Sequence, residues 1–223
     1  MSKNLVLKKG LNIPLEGAPA REVIGVVTPD VVAVKPTDFK GFLPRLLVKE
    51  GDAVKAGSPV MAGKQNPDIL LTSPVSGTVQ QVVRGEKRKL LAVLIKASEE
   101  QEYVSFGTKA PQDAAQVKEL LLKSGLWLSL VQRPYGTIAN PQDTPKAIFI
   151  SSFSTAPLAA DTDYTLDGSL DALQAGVNAL SLIAPVHLSV KKEVYSSTVF
   201  HKVENVVEHV VSGKHPAGTV GVQ

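Results

Sequence analysis

The chain has 223 residues, of which 43% are hydrophobic and 20% are charged, and its formal net charge is +3. This balance is typical of a folded protein with one large or two modest domains and excludes extensive disorder. Cysteine is absent from the sequence, which excludes disulfides, thiolate catalysis and cysteine-ligated iron–sulfur or zinc sites. No run approaches the roughly 18 consecutive apolar residues of a transmembrane helix, and the first residues lack the apolar core of a signal peptide, so we expect a cytoplasmic protein.

The positive charge is concentrated in the first half of the chain. Residues 1–110 hold sixteen Lys and Arg against eleven Asp and Glu, whereas residues 111–223 hold eight against ten. The densest basic run, residues 84–89, is interpreted as an exposed hairpin turn; an acidic partner surface and lipid headgroups are the alternatives. Because only 5% of residues are aromatic and no stacking motif accompanies the run, we expect no nucleic-acid partner.

Recurring Pro and Gly in the first 30 residues predict an extended N-terminal segment over residues 1–30. Short apolar segments bounded by turn residues follow and predict an all-β domain over residues 31–100. Its predicted strands cover residues 31–34, 45–48, 59–62, 69–72, 77–83 and 90–96. Two of the turns contain glycines, Gly51 and Gly77, and both glycines are expected to take a positive φ.

The two glycine turns, about one hairpin apart, resemble those of the barrel-sandwich hybrid found in biotinyl and lipoyl carrier domains. Such domains attach their cofactor to a lysine on the hairpin between the two halves. Here the corresponding hairpin, residues 63–68, has Asn66 and Pro67 at its tip. We therefore expect the scaffold without its attachment point and without a covalently bound cofactor. A carrier module modified on Lys64 is the alternative.

Helical periodicity begins after Pro111. Asp113 and Gln116 have the spacing of a capping box, which predicts the start of a helix. Gly125 is expected to end that helix, because glycine is favoured just beyond a helix C-terminus.

The remainder of the chain alternates between strand and helix patterns. The predicted elements are a strand over residues 146–151, a helix from about residue 168, and strands over residues 186–190, 203–211 and 216–223. Strand, helix and strand in this order form a βαβ unit with parallel pairing. The sequence therefore predicts a Rossmann-like α/β domain over residues 111–223.

The loop after the first strand of this domain, residues 152–161, contains no glycine. Backbone without glycine cannot approach a pyrophosphate closely, so a dinucleotide of the usual kind is not expected here. Asp161 and Asp163 are interpreted as helix-capping residues, with a catalytic carboxylate pair as the alternative.

The four histidines show no spacing that closes a metal site, and no metal is predicted. His215 precedes Pro216 and Gly218, so it either contacts a ligand or belongs to a rigid turn. Trp127, Arg133 and Tyr135 form the remaining constellation. A lone Trp among leucines is typical of a core, but an apolar cleft with one Arg would also suit a quinone, whose carbonyl oxygen the Arg would polarise.

Several motifs occur together and in a specific order. They are residues 8–14, 48–52 with 73–77, 84–88, 124–127 with 133–135, 156–160, and 215–218. In this order they resemble the A-subunit family of the bacterial sodium-translocating NADH:quinone oxidoreductases, over essentially the whole chain. That family is similar to the C-subunit of the Rnf complexes and, more distantly, to the flavin subunit of respiratory complex I.

The resemblance implies a flavin-free subunit without catalytic residues of its own, because the glycine-rich flavin loop of the relatives is replaced by residues 127–135. It implies a peripheral position on the cytoplasmic side of the bacterial inner membrane. The implied partners are the other subunits of the sodium pump, above all its quinone-associated membrane subunit. Members of that family are longer, so the chain is expected to be an N-terminal fragment without activity by itself.

Ubiquinone is the substrate that the resemblance implies, and NADH is oxidised elsewhere in such a complex. The residues predicted to contact the quinone are Phe39, Trp127, Arg133 and Tyr135. Phe39 is included because residues 35–39 resemble a quinone-facing loop of the family. The alternative functions are a carrier-type module and the flavin-binding subunit of a dehydrogenase.

Overall fold

The structure is a computed structural model that describes residues 3–17 and 19–223. In chain order its strands are β1 (Lys3–Leu7), β2 (Val31–Val34), β3 (Pro44–Leu46), β4 (Ala53–Val54), β5 (Pro59–Gly63), β6 (Leu70–Thr72), β7 (Gly77–Arg84), β8 (Leu90–Ala97), β9 (Val131–Gln132), β10 (Thr137–Ile138), β11 (Ile148–Ser151), β12 (Val186–Lys191) and β13 (Val207–Gly213). The helices are α1 (Ala114–Lys123), α2 (Thr162–Thr165) and α3 (Leu170–Ser181). Short 3-10 turns lie at Pro36–Asp38, Glu86–Arg88, Leu126–Ser129, Lys192–Val194 and Val199–Lys202.

The chain forms two compact units. The barrel unit comprises Gly25–Ala110 and Lys118–Asp143. The α/β unit comprises the described residues up to Ile24, together with Pro111–Val117 and Thr144–Gln223. The predicted domains, 1–30, 31–100 and 111–223, differ from these units in two respects. Most of the N-terminal segment lies with the α/β unit, and residues 118–143 lie with the barrel unit.

The barrel unit contains two antiparallel sheets, in the orders β2-β8-β7-β4 and β3-β5-β6, and the small hairpin β9-β10. The six strands predicted for this region are confirmed within one or two residues. Alternation along the strands brings apolar side chains to one side of each sheet. Val60, Met61, Val93 and Ile95 are completely buried in the shared core. The short strand β4 was not predicted.

The two turn glycines have different structural reasons. Gly51 has a φ of +89°, as predicted, and space is open around the position of a Cβ. The prediction of a positive φ at Gly77 is wrong. There the backbone approaches β8 so closely that a Cβ would lie 2.0 Å from the carbonyl oxygen of Lys96. Glycine is needed at residue 77 for close approach rather than for its dihedral freedom.

Residues 118–143 lie with the barrel unit because Trp127 and Leu128 are part of its core. Gly125 ends α1 with a φ of +78°, as the sequence predicts. A Cβ on this glycine would lie 2.6 Å from the Oγ1 of Thr72, which also donates a hydrogen bond to the Ser124 carbonyl at 3.2 Å. The end of the helix is therefore fixed against β6.

The α/β unit contains a four-stranded parallel sheet in the order β1-β13-β12-β11. The predicted parallel pairing of the two βαβ strands is confirmed, and β13 confirms part of the strand predicted for residues 203–211. On one face of the sheet, Val177 of α3 shares a core with Val186, Leu188 and Val190. The apolar stripe of α3 packs on this face of the sheet and buries it.

Two expectations for the chain ends differ from the structure. The predicted extended segment begins with β1, which pairs in parallel with β13, and Met1, Ser2 and Ala18 lie outside the described residues. The strand predicted for residues 216–223 is wrong. Its backbone groups form successive turn hydrogen bonds, from Ala217 N–H to the Lys214 carbonyl at 2.9 Å and from Thr219 N–H to the Pro216 carbonyl at 2.8 Å.

Replacement of Gly77 by Ala tests the close approach of β7 and β8. The added methyl group would overlap the Lys96 carbonyl oxygen, so we expect a loss of about 1–3 kcal/mol in the free energy of unfolding, measured by urea denaturation. Gly176→Ala is the matched control, because apart from its chain neighbours and the nearby backbone of α3 itself no atom lies within 4 Å of its Cβ position. It should leave stability unchanged or raise it by about 1 kcal/mol, since Ala is the better helix former. Equal stability of the two variants would contradict the explanation.

A second prediction concerns Asp161, which caps α2 by accepting the Tyr164 N–H and forms an ion pair with Arg21. Burial raises the pKa of Asp161, but the hydrogen bond from Tyr164 and the Arg21 guanidinium outweigh it, so the net pKa is lowered. A lowered folded-state pKa contributes stability above the unfolded pKa, and this contribution is lost as pH falls through the folded pKa.

Asp161→Asn isolates the charge, because Asn caps a helix as well as Asp does. We expect a decrease of less than about 1 kcal/mol at neutral pH, as for other exposed ion pairs. In thermal melts at successively lower pH the difference from the unmodified chain should shrink to zero in acid. A difference that persists at the acidic end would show that the charge is not the cause.

Candidate functional site

The barrel unit contains a pocket of about 620 Å³. Its walls come from three stretches of chain, namely the residues around Phe42, the hairpin between β5 and β6, and the segment that follows Thr137. The lining residues are Gly41, Phe42, Leu43, Gly63, Lys64, Gln65, Asn66, Ile69, Thr137, Ile138, Ala139, Asn140, Pro141 and Gln142. The hairpin between β5 and β6 is the one that the sequence pattern likens to the cofactor-bearing hairpin of biotinyl and lipoyl carriers.

The hairpin wall is a closed loop with its own hydrogen bonds. Gly63 N–H donates to the Ile69 carbonyl at 2.9 Å, and Asn66 Oδ1 accepts the Asp68 N–H at 3.2 Å. A Cβ on Gly63 would lie 2.6 Å from the Asn66 carbonyl oxygen, so only glycine allows the loop to close this tightly. Lys64 N–H donates to the Leu43 carbonyl at 2.8 Å, which joins the hairpin to the wall around Phe42.

The opposite wall is held from behind by a buried tryptophan and a lysine. Trp127 is 3% exposed, and its indole N–H donates to the Ala139 carbonyl at 2.8 Å. Ala139 N–H in turn donates to the Leu130 carbonyl at 2.8 Å. The Lys118 ammonium donates to the carbonyls of Pro141 and Asp143 at 2.9 and 3.2 Å. These bonds fix the backbone of residues 139–143 and therefore the shape of the pocket.

The lining combines an apolar interior with polar groups. Phe42 and Ile69 are each 8% exposed and belong to the core, and Ile138 and Ala139 are half-buried against it. Lys64 is exposed, and both walls contribute residues with amide side chains to the lining. Such a lining suits a flat, mostly apolar ligand with hydrogen-bond acceptors at its edge.

The four residues predicted to contact a quinone lie around this pocket but do not line it. Phe39 and Trp127 pack in the core of the barrel unit. Arg133 and Tyr135 lie at the tip of the β9-β10 hairpin, where Tyr135 is 70% exposed. The Phe39 carbonyl accepts the Phe42 N–H at 3.1 Å, so Phe39 supports a lining residue. Quinone contact by the four residues themselves remains a prediction.

The segment after Thr137 forms a wall that no pattern in the sequence predicts. Its residues have no motif of their own, and they reach the pocket only because Trp127 enters the core and holds Ala139. Lys64 was identified, but as an attachment point rather than as part of a pocket. Gly63 is the lining glycine that marks a close approach of the backbone.

His215 lies in a turn that joins three segments of the α/β unit. Its Nδ1 lies 3.1 Å from Thr155 Oγ1, its N–H donates to Asn12 Oδ1 at 2.8 Å, and its carbonyl accepts the Leu11 N–H at 3.0 Å. Of the two interpretations of His215, these contacts support the turn.

The remaining polar candidates of the α/β unit also have structural contacts. Asp163 accepts hydrogen bonds from Thr198 Oγ1 at 2.6 Å and from Val199 N–H at 3.1 Å, which indicates a structural rather than a catalytic carboxylate. His187 and His209, on neighbouring strands, lie with Nδ1 and Nε2 2.8 Å apart. Among residues 3–17 and 19–223, no three His, Asp or Glu side chains form a group that could hold a metal ion.

Comparison with known proteins identifies the same two kinds of domain, although the matched ranges differ from the structural units at residues 118–143 and before Gly25. Residues 5–98 match a family model for the NqrA N-terminal barrel-sandwich hybrid domain, and residues 112–223 match one for the NqrA second alpha/beta domain. The predicted barrel-sandwich hybrid followed by an α/β domain is thereby confirmed.

Curated proteins named as the A-subunit of Na(+)-translocating NADH-quinone reductase are similar over nearly the whole chain. The protein from Tolumonas auensis is 37% identical over 222 residues, which cover 97% of this chain and 49% of the relative. Those from Pseudomonas aeruginosa PAO1 and Neisseria meningitidis are 35% and 34% identical, each over 96% of this chain and 49% of the relative. The chain thus spans about half the length of the curated relatives it matches. With both of its domains matched by models of one family, the chain belongs to the NqrA family.

Proposed function

We propose that the chain is part of the A-subunit of a sodium-translocating NADH:quinone reductase, an oxidoreductase and translocase. The names of the relatives in three bacterial genera support this proposal. In the described part of the chain no helix has the length and apolar character needed to cross a bilayer. We place the protein at the cytoplasmic side of the inner membrane. Its proposed partners are the other subunits of the complex, especially the quinone-associated membrane subunit.

The pocket of the barrel unit is proposed as a ubiquinone-headgroup site. Its volume of about 620 Å³ lies within the range of about 300–1,000 Å³ typical of small-molecule sites. Phe42, Ile69 and Ile138 offer the apolar surface that a quinone ring needs. The pocket is the single observation on which this proposal rests, because its lining includes both this apolar surface and the cationic residue Lys64.

Lys64 is the proposed polar contact. Its ammonium group would donate a hydrogen bond to one carbonyl oxygen of the ring and stabilise negative charge that develops there on reduction. Asn66 and Asn140, on the two walls, supply further amide donors. Trp127 acts from behind the wall by holding the Ala139 carbonyl. In this proposal Arg133 and Tyr135, at the exposed hairpin tip, meet the membrane partner or the outer part of the quinone.

Electrons are proposed to reach the quinone from other subunits. The sequence contains no cysteine and therefore no thiolate ligand for an iron–sulfur cluster. The loop at residues 152–161, which follows the first strand of the βαβ unit, has no glycine to admit a phosphate group. We therefore propose that the α/β unit has a Rossmann-like arrangement that serves assembly of the complex rather than binding of FMN or NADH.

The first prediction from this proposal uses Trp127, the only tryptophan in the sequence. A short-chain ubiquinone analogue bound in the pocket would lie next to the wall that Trp127 supports. We therefore expect the analogue to quench the fluorescence of Trp127, and the quenching to reach a limit as the pocket fills. Lys64→Gln should weaken the binding by about tenfold or more, the effect of losing one charge-assisted hydrogen bond worth about 1.5–3 kcal/mol. Titration of the purified chain, corrected with free tryptophan for absorption by the quinone, gives both affinities.

Lys49→Gln is the matched control, because it removes the same charge from an exposed lysine of the barrel unit that does not line the pocket. It should bind the analogue as the unmodified chain does. Linear, non-saturating quenching, or equal weakening by both substitutions, would contradict the proposed site.

The carrier interpretation leads to a separate prediction. Lys64 follows β5 directly and is bonded through its backbone to Leu43, whereas Asn66 and Pro67 form the tip of the loop. A swinging cofactor arm must project freely, so we expect no modification. Intact-mass measurement after co-expression with biotin and lipoyl ligases should give the unmodified mass. An increase by one biotinyl or lipoyl group on Lys64 would establish a carrier function.

A further inference from the structure

The basic run at residues 84–89 lies at the end of a hairpin that extends beyond its neighbours. Strand β2 pairs with β8 only from Val93 onward, and β4 pairs with β7 only at Gly77 and Thr78. Beyond these points β7 and β8 pair only with each other. The turn at Glu86–Arg88 thus lies at the outer end of the β7-β8 pair, next to Leu90, which is 8% exposed and belongs to the core.

Four cations and one carboxylate are displayed on this turn. Arg84, Lys87, Arg88 and Lys89 are all exposed, and Glu86 is the single acidic side chain among them. Arg84 Nη1 donates to the Arg88 carbonyl at 3.2 Å, which holds its guanidinium group over the turn. The ion pairs found between described residues, such as Lys55 with Glu102, involve none of these four cations. The cluster therefore keeps its full charge available to an external partner.

The backbone of the turn is strained by these residues. Lys87 and Arg88 have φ of 52° and 59°, and Lys89 N–H donates to the Glu86 carbonyl at 3.1 Å. A two-residue turn with positive φ at both central positions is of the type that favours Asn-Gly. Non-glycine residues in this region of φ are held there against a conformational cost, and such strain is commonly found at functional positions. The sequence that would stabilise this turn most has Asn and Gly at these two positions, whereas here both positions hold cations.

We propose that this basic hairpin binds anionic phospholipid headgroups and so attaches the barrel unit to the membrane surface. The inference rests on the proposed function as a peripheral component of a membrane complex. Clusters of Lys and Arg are attracted by the negative surface of the cytoplasmic leaflet, and each contributes to the affinity. Leu91, 36% exposed and in contact with the turn at Gly85, adds an apolar side chain that can enter the headgroup layer.

A lipid surface fits the hairpin better than an acidic protein does. A stable protein–protein interface buries on the order of 1,000 Å² or more between complementary shapes. A single turn has much less surface area to bury. A fluid anionic bilayer requires no matching shape, since its headgroups rearrange around the cations. The flexible side chains of Lys87, Arg88 and Lys89 are suited to that kind of surface.

The test is co-sedimentation of the purified chain with vesicles of phosphatidylglycerol mixed with phosphatidylcholine, against vesicles of phosphatidylcholine alone. The double variant K87N/R88G removes two charges and introduces the turn sequence that this geometry favours. We expect binding to the anionic vesicles to fall by about 25-fold, about fivefold for each charge. The unfolding midpoint should be unchanged or higher, which excludes misfolding as the cause.

The control variant K8Q/K9Q removes the same charge from two exposed lysines outside the hairpin and should retain most of the binding. Weak binding by the unmodified chain, equal loss in both variants, or full binding by K87N/R88G would overturn the proposal. Competition by polyglutamate at the same concentration of negative charge would overturn it in favour of an acidic protein. Quenching of Trp127 by quinone, measured on the same variants, reports the proposed function separately.

Discussion

The hydrogen bond from the Trp127 indole to the Ala139 carbonyl links the core of the barrel unit to the wall of its pocket. The indole lies among residues of both antiparallel sheets, where it is 3% exposed. A buried N–H without an acceptor would be costly, so the bond fixes the position of residue 139 relative to the core. The segment that follows has no strand of its own beyond β10 and takes its place from this bond and from Lys118. A preformed pocket follows from burial of one side chain.

The hairpin on the other side of the pocket, residues 63–68, is held against the barrel, unlike the hairpin of a carrier domain. In a carrier the hairpin must be free, because its lysine visits distant active sites. Here Gly63 closes the loop against Asn66, and the Lys64 backbone is bonded to Leu43. Both features hold the loop near the barrel instead of projecting it. The same strands and turns thus form one wall of the pocket.

The turn between β7 and β8, in contrast, exposes its side chains to solvent. It exposes four cations and places Lys87 and Arg88 in a backbone conformation that asparagine and glycine adopt more easily. Natural proteins tolerate such local conflicts where a side chain has a task outside the fold. The barrel unit therefore has one hairpin held against the pocket and one whose turn exposes a cluster of cations.

The sequence by itself determined the two kinds of domain, most of the strands and the ends of α1, since these depend on local periodicity and on glycine or capping residues such as Gly125. It left Trp127 between a core position and a quinone contact, and it indicated residues 63–68 as the altered carrier hairpin. Only the tertiary structure decided that residues 118–143 belong to the barrel unit, that β1 pairs with β13, and that Gly77 is needed for close approach. These features depend on contacts between residues far apart in the chain. Local patterns do not record such contacts, because the same short segment is compatible with many partners until the core selects one.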